Sequence, residues 1–248
     1  MEERRTYGTT HGDQRASEVL YIAAKAPRPG VAKTRLAAVL GHDHALALYT
    51  AFLCDLAIRF APAPFATGWY ITPSDAWADL APLVDVTGRP PLVLEQPEGD
   101  WTDRQRWLFQ GARARGEHRT VLIASDSPQI TIDVVAQAFA ALHHHDLVFG
   151  PVLDGGYYLI GMRGWHDVLH GVQMSTTTVL EDILGRAERI GLTIAHLAPT
   201  FDVDEIGDLR RLEEIATERD DLRATRAALA AVASAAAHRL GALENLRQ

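Results

Sequence analysis

The chain has 248 residues, of which 47% are hydrophobic and 23% charged, enough for one large globular domain or two small ones. Its 19 glycines and 12 prolines exclude collagen-like and low-complexity classes, and the single Cys54 excludes an intrachain disulfide framework or a thiolate metal cluster and points to a reducing, cytoplasmic compartment. With 32 acidic against 24 basic side chains, a net −8, the balance argues against broad nucleic-acid binding.

The opening Glu2-Glu3-Arg4-Arg5 is followed by no apolar stretch, so no secretory signal is expected. Residues 1–17 are polar and aperiodic and read as a disordered tail. Val19–Ala24 is an apolar strand, and no apolar run approaches the ~20 residues of a membrane helix. His42–Phe60 spaces Ala45, Leu48, Phe52, Leu56 and Phe60 as a helix does, with Cys54 placed on its apolar face. Short strands follow at Gly68–Ile71 and Leu92–Leu94. Then come a helix over Thr102–Arg115, a strand over Thr120–Ala124 and a helix over Ile132–Leu142. Asp146–Gly150 and Tyr157–Met162 are strands too close together for a helical crossover, so the second is an antiparallel or edge insertion. Helix Thr177–Ile190, strand Leu192–Leu197 and helix Ile206–Thr217 complete a domain over 18–217. The alternation implies an α/β fold, a mostly parallel central sheet with helices on both faces. Residues 218–248 are Ala-rich and form a C-terminal helical extension, one long helix or a hairpin, suited to packing or to a homodimer.

Four segments carry chemistry. The first runs Lys25-Ala26-Pro27-Arg28-Pro29-Gly30-Val31-Ala32-Lys33-Thr34-Arg35-Leu36. It leaves the carboxyl end of the first strand, where ligands of open parallel sheets sit. It holds four cations and no carboxylate, which suits phosphate more than a merely solvated loop. It matches neither a Walker loop nor a dinucleotide fingerprint. The second is Ser125-Asp126-Ser127-Pro128, a carboxylate at another strand end. It suits a hard cation shared with phosphate, or else a helix N-cap. The third is Asp154-Gly155-Gly156-Tyr157-Tyr158, whose glycines permit close backbone approach to a ligand or simply a turn. The fourth is Phe201-Asp202-Val203-Asp204-Glu205. An extended backbone there puts both aspartates on one face; the alternative is Asp204 capping the next helix with Asp208 in its first turn.

Lesser signals have ordinary explanations. The hydroxyl-rich Met174–Thr178 precedes a helix, so it caps by default and a phosphate contact is the alternative. His166 and His170 stand four apart, as on a helix, but show no third zinc ligand.

Together the four segments resemble a bacterial family of the glycosyltransferase-A-like superfamily, which comprises glycosyltransferases and nucleotidyltransferases. Its pattern reads K-A-P-x-P-G-x-x-K-T-R-L, Q-x-x-G-x-L-G-x-R, S-D-x-P, D-G-G-Y-Y-L and D-x-D before a final D-L. Here these are Lys25–Leu36, Gln96–Arg104, Ser125–Pro128, Asp154–Leu159 and Asp202–Asp204 with Asp208-Leu209. The first loop also looks like that of the 2-phospholactate guanylyltransferases and, more distantly, the molybdenum-cofactor guanylyltransferases.

The resemblance implies the three-layer nucleotide-diphospho-sugar transferase fold. It implies nucleotide binding by Lys25, Ala26, Pro27, Gly30, Lys33, Arg35, Gln96, Arg104 and Ser125. It implies Mg²⁺ or Mn²⁺ at Asp126, Asp202 and Asp204, with Lys33 and Asp126 catalytic. Second-substrate contacts fall to Asp154, Gly155, Gly156, Tyr157, Ser175 and Thr176. Two departures, Trp101-Thr102 in place of Leu-Gly and Gln173-Met174-Ser175-Thr176-Thr177 in place of Pro-Trp-Gly-Thr-Ser, fall where the acceptor is expected.

The first reading is a Mg²⁺-dependent nucleotidyltransferase, joining a nucleoside triphosphate to a small phosphorylated or carboxylated acceptor with loss of pyrophosphate. The second is a glycosyltransferase using a nucleotide-sugar. The third is a nucleotide-binding protein without turnover.

Overall fold

The computed structural model describes residues 17–86, 88, 91–174 and 176–245. Residues 1–16 of the expected tail and Ser175 lie outside the described residues.

Strand β1 (Glu18–Lys25) is buried along its length except at its ends, as a central strand covered on both faces must be. It pairs in parallel with β2 (Ala66–Thr72) and β4 (Arg119–Ala124), and β3 (Leu92–Glu95) adds outside β2. Strands β5 (Leu147–Pro151), β6 (Tyr157–Arg163) and β7 (Ile194–His196) complete a seven-stranded sheet in the order β3-β2-β1-β4-β6-β5-β7. All pairings are parallel except those of β6, which runs antiparallel to both β4 and β5. The turn at 152–156 is too short for a crossover, so it must return the chain antiparallel. The strand is interior, not at an edge: its run Tyr158–Met162 is buried, which an edge would not reward.

The side chains of β1 alternate between two cores. Leu20, Ile22 and Ala24 face one layer, built from α1 (Thr34–Leu40), α2 (His42–Phe60), α3 (Trp77–Val84), α5 (Ile132–Leu142), α7 (Ile206–Glu218) and α8 (Arg223–Asn245). Val19, Tyr21 and Ala23 face the other, built from α4 (Trp101–Arg115) and α6 (Val179–Arg189). The three-layer α/β fold is therefore as the sequence implied.

Three details differ. Helix α3 has no clear sequence signal, because Pro82 sits inside it and prolines are rare in helix interiors. Cys54 is half-buried, not in the core. The His166–His170 stretch is not helical, and His166 Nε2 instead contacts the Arg163 carbonyl.

Helix α8 begins inside the main core. Leu222 and Leu229 are buried in the same cluster as α2. The buried Asp55 of α2 accepts from the backbone N–H groups of Ala224 and Thr225, at 3.0 and 2.8 Å. A carboxylate from another helix thus satisfies two of the donors that every helix start leaves open. No helix among the described residues is long and apolar enough to cross a membrane.

Candidate active site

The strands of the parallel block end together. Lys25 stands opposite Thr72 in register, Gln96 N–H donates to the Ile71 carbonyl, and Ser125 N–H donates to the Ala23 carbonyl. A cavity of about 490 Å³ opens over these ends. It is lined by Lys25, Lys33, Thr72, Gln96, Arg104, Ser125, Asp126, Tyr157 and Asp202, among others.

Opposite charges meet there through Lys33. Its side chain is 1% exposed, and its Nζ lies 2.9 Å from Asp126 Oδ1 and 3.3 Å from Asp204 Oδ1. The same ammonium donates to the Val203 carbonyl at 2.7 Å. Among the described residues Lys33 is the one non-glycine with positive φ, +52°. That left-handed conformation costs about 1–2 kcal/mol. It precedes α1 and lets the side chain turn inward to the carboxylates. The Val203 N–H in turn donates to the Asp126 carbonyl, which locks the two acidic segments side by side.

Asp202 lies deeper. It accepts a short hydrogen bond from the Ser127 hydroxyl. Burial pushes its carboxyl up to about 6, and the nearby Asp126 and Asp204 carboxylates add to the rise, against Ser127 and Lys33. Asp126 is not an N-cap: α5 starts later, with Thr131 accepting from Val134 N–H. Nor does Asp204 cap α7. Glu205 does, in a capping box with Asp208, so Asp204 is left to face Lys33.

Arg35 stands at the rim, 71% exposed and 3.8 Å from Asp204. Arg28, one of the four loop cations, turns away to Asp75 and Asp79 at the start of α3. Ala26 is buried, with its N–H spent on the Thr72 carbonyl. Ala26, Pro27 and Gly30 shape the loop without lining the cavity.

On the β2–β3 side, Gln96 Nε2 donates to the Tyr70 carbonyl, and its Oε1 accepts from Arg104 Nη1 at 3.1 Å. This fixes a guanidinium whose buried Nε has no hydrogen-bond partner among the described residues.

On the β6 side, Tyr157 and Tyr158 line the cavity, whereas Asp154, Gly155, Gly156 and Thr176 do not. Asp154 accepts from Gly156 N–H within its own turn. Gly155, at φ +94°, presses on the 177 backbone: a Cβ there would lie 1.9 Å from the Thr177 carbonyl oxygen. Its role in the fold is to seat the chain that enters α6.

Two lining residues carry no signal in the motifs. Tyr49 of α2 accepts from Lys25 N–H and shares a 3.0 Å hydrogen bond with Ser125 Oγ, stitching the ends of β1 and β4 together. Burial and the Asp126 charge push its hydroxyl pKa up, so it stays protonated. Gln105, fully buried on α4, is the other. Both sit at apolar-face positions of amphipathic helices, where a polar tip is the only available clue.

For a metal, the donor set is all carboxylate oxygen, which suits a hard cation. No three acidic, His or Cys side chains among the described residues come together as a closed cage. A hard cation such as Mg²⁺ takes one or two carboxylates and completes its shell with phosphate and water. Asp126 and Asp202, both on the cavity wall, are the pair that could hold a divalent cation.

Fold and site together define the class: an open α/β sheet of the nucleotide-diphospho-sugar transferase type, with its charged cavity at the strand ends. Residues 70–176 match the family described as "Uncharacterized protein conserved in bacteria (DUF2064)". That span contains Gln96, Arg104, Asp126 and the Asp154–Tyr158 turn. The structure is similar to that of a protein from Desulfovibrio desulfuricans G20 provisionally described as a nucleotide-diphospho-sugar transferase. The TM-score is 0.82 at 28% identity, over 89% of this chain and 96% of that one. A cytidylyltransferase from Leptospira borgpetersenii serovar Hardjo-bovis shares the fold at TM-score 0.52 and 12% identity, over 90% and 96% of the two chains. A 4-diphosphocytidyl-2C-methyl-D-erythritol synthase shares it at 0.53 and 10%, over 81% and 99%. Among curated proteins, none matches this chain.

Proposed function

We propose that this protein is a nucleotidyltransferase that joins a nucleoside triphosphate to a small phosphorylated or carboxylated acceptor. The observation that carries this reading is the meeting of the 25–35 loop with Asp126 and Asp202–Asp204 around one cavity. An acceptor oxygen attacks the α-phosphorus. The α–β phosphoanhydride bond breaks, and its electron pair leaves with pyrophosphate.

Lys25, exposed at the end of β1, meets the triphosphate as it enters. Lys33 holds the carboxylates at fixed spacing and places positive charge beside the phosphates, where preorganised charge is worth most. Arg104, held by Gln96 on the β2–β3 side, faces the nucleotide from the cavity wall. Asp126 and Asp202 would hold a divalent cation, which would supply further neutralisation of phosphate charge. No nucleic acid enters this scheme.

The test is pyrophosphate release from ATP, GTP, CTP and UTP with Mg²⁺ over an acceptor panel, with mass spectrometry of the product. Asp126→Asn should lower turnover by ~10²-fold or more, the usual loss when a charge-stabilising group is removed. Full activity in that variant would overturn the role given to Asp126.

A second reading draws on the 28% identical neighbour and its description: glycosyl transfer from a nucleotide-sugar. The product separates the two, since glycosyl transfer leaves a nucleoside mono- or diphosphate and no pyrophosphate.

A further inference from the structure

The turn that follows Asp126 is held from behind. Ile130 N–H donates to the Ser127 carbonyl and closes it. The next three carbonyls, of Pro128, Gln129 and Ile130, all accept from guanidinium groups. Arg59 of α2 donates to those of Pro128 and Ile130, and Arg219 donates to that of Gln129. Asp221 joins the two arginines. Its carboxylate accepts from Arg59 Nε and from Arg219 Nε and Nη2, and its carbonyl accepts from Arg59 Nη2 at 2.8 Å.

From the front, the same turn grips the second acidic segment. Ser127 Oγ donates to Asp202, Gln129 Nε2 donates to the Phe201 carbonyl, and Val203 N–H donates to the Asp126 carbonyl. One turn therefore sets Asp126 and Asp202 relative to each other, and a brace of Arg59, Asp221 and Arg219 sets the turn.

Packing alone does not call for such a brace. The Arg59 side chain is 3% exposed, and burying a guanidinium carries a desolvation penalty that its partners only offset. Apolar side chains of similar volume would hold α2 against the C-terminal extension at least as well. What they lack is direction: a planar guanidinium fixes the carbonyls it bonds at set angles. Carboxylates that ligate a metal depend on outer contacts of this kind to hold their spacing.

We infer that Arg59, Arg219 and Asp221 are positioning residues for the cation site, and that the start of the C-terminal extension serves as its backing. This rests on the reading that Asp126 and Asp202 hold a divalent cation. None of the three lines the cavity; they act through the main chain of 128–130. The extension thereby has a task within its own chain.

The test is a titration with Mn²⁺ alone, followed by electron paramagnetic resonance of the free ion, on the full-length protein. Asp221→Asn keeps the size but sets an amide against two guanidinium groups. Arg219→Met removes one arm. Both should weaken Mn²⁺ binding by about 5- to 10-fold, and hydrogen exchange at the Val203 N–H should quicken in both. The control is Asp146→Asn, which lowers stability from the start of β5, at the opposite end of the sheet. It should bind Mn²⁺ within about twofold of the wild type. If Asp221→Asn fails to fold, Arg219→Met, made at a side chain 22% exposed, decides.

Mn²⁺ affinity unchanged in the brace variants overturns the inference and leaves the cation reading standing. An equal loss in Asp146→Asn overturns it too, since stability alone would then explain the effect. If the wild-type protein binds no Mn²⁺, the cation reading and this inference fall together.

Discussion

Lys33 shows how far a residue's placement can depart from what its charge alone suggests. The motif marks it as a phosphate cation. The fold turns its ammonium inward onto Asp126, Asp204 and the Val203 carbonyl, because a left-handed residue before α1 redirects the side chain. Lys33→Met removes the charge that holds two carboxylates together. Turnover should fall by ~10²-fold or more, while far-ultraviolet circular dichroism keeps the wild-type spectrum. A variant with near-normal turnover would assign Lys33 to packing alone.

Gly155 is the complementary case, a glycine set by backbone and not by ligand. Gly155→Ala puts a methyl group into the Thr177 carbonyl at a positive φ. It should destabilise the protein by about 1–3 kcal/mol, read from the urea midpoint. Sequence spacing could not distinguish a glycine that admits a ligand from one that admits another stretch of chain. Gln105 was equally hidden, since a glutamine in an amphipathic helix reads as surface until its burial is seen.

At the scale of elements, the order of strands and helices was legible because buried strands are apolar runs and their helices keep their periodicity. The neighbours within the sheet were not. Nothing local places β6 between β4 and β5; only the shortness of the turn before it betrays its direction. Missing α3 also hid the fate of Arg28, whose partners Asp75 and Asp79 sit at the start of that helix.

Helix α8 makes a further element-scale prediction. Asp55 caps it from α2, and Arg59 of α2 bonds Asp221 and the Pro128 and Ile130 carbonyls nearby. Asp55→Ala leaves the Ala224 and Thr225 N–H groups without their acceptor. The loss should be about 1–3 kcal/mol. Hydrogen exchange should quicken first at the start of α8, with the β1 and β4 amides still protected.

At the scale of the whole molecule, acid stability follows from a few carboxylates with strong partners. Asp146 bonds Arg163 Nη2, Thr193 N–H and Thr193 Oγ1, tying β6 to the approach to β7. The Arg163 guanidinium, then the Thr193 N–H, hold its carboxyl far below the usual range. Asp221 is held down likewise by Arg219 and then Arg59. A carboxyl whose folded pKa is depressed stabilises above its unfolded value of about 4, and that stability is lost as pH falls through the folded value. The contribution of these two carboxyls to the urea midpoint should therefore hold from pH 7 to about 5 and drop below about 4. Asp146→Asn should lower the midpoint at pH 7 and flatten the drop. An unchanged acid limb would assign the drop to other groups.

The direction of β6 has one more consequence. A parallel strand reaches the pocket with its last residues, so whatever lengthens there must also lead into the next helix. An antiparallel strand arrives with its first residues, Tyr157 and Tyr158, and the short hairpin before it is seated on the chain entering α6 through Gly155. Leu153, 70% exposed, marks where that hairpin meets solvent. Extra residues inserted beside it would lengthen the bend while leaving every ladder in place, because surface loops tolerate added length cheaply. The architecture can thus take up length at one short bend, with the charged cavity untouched.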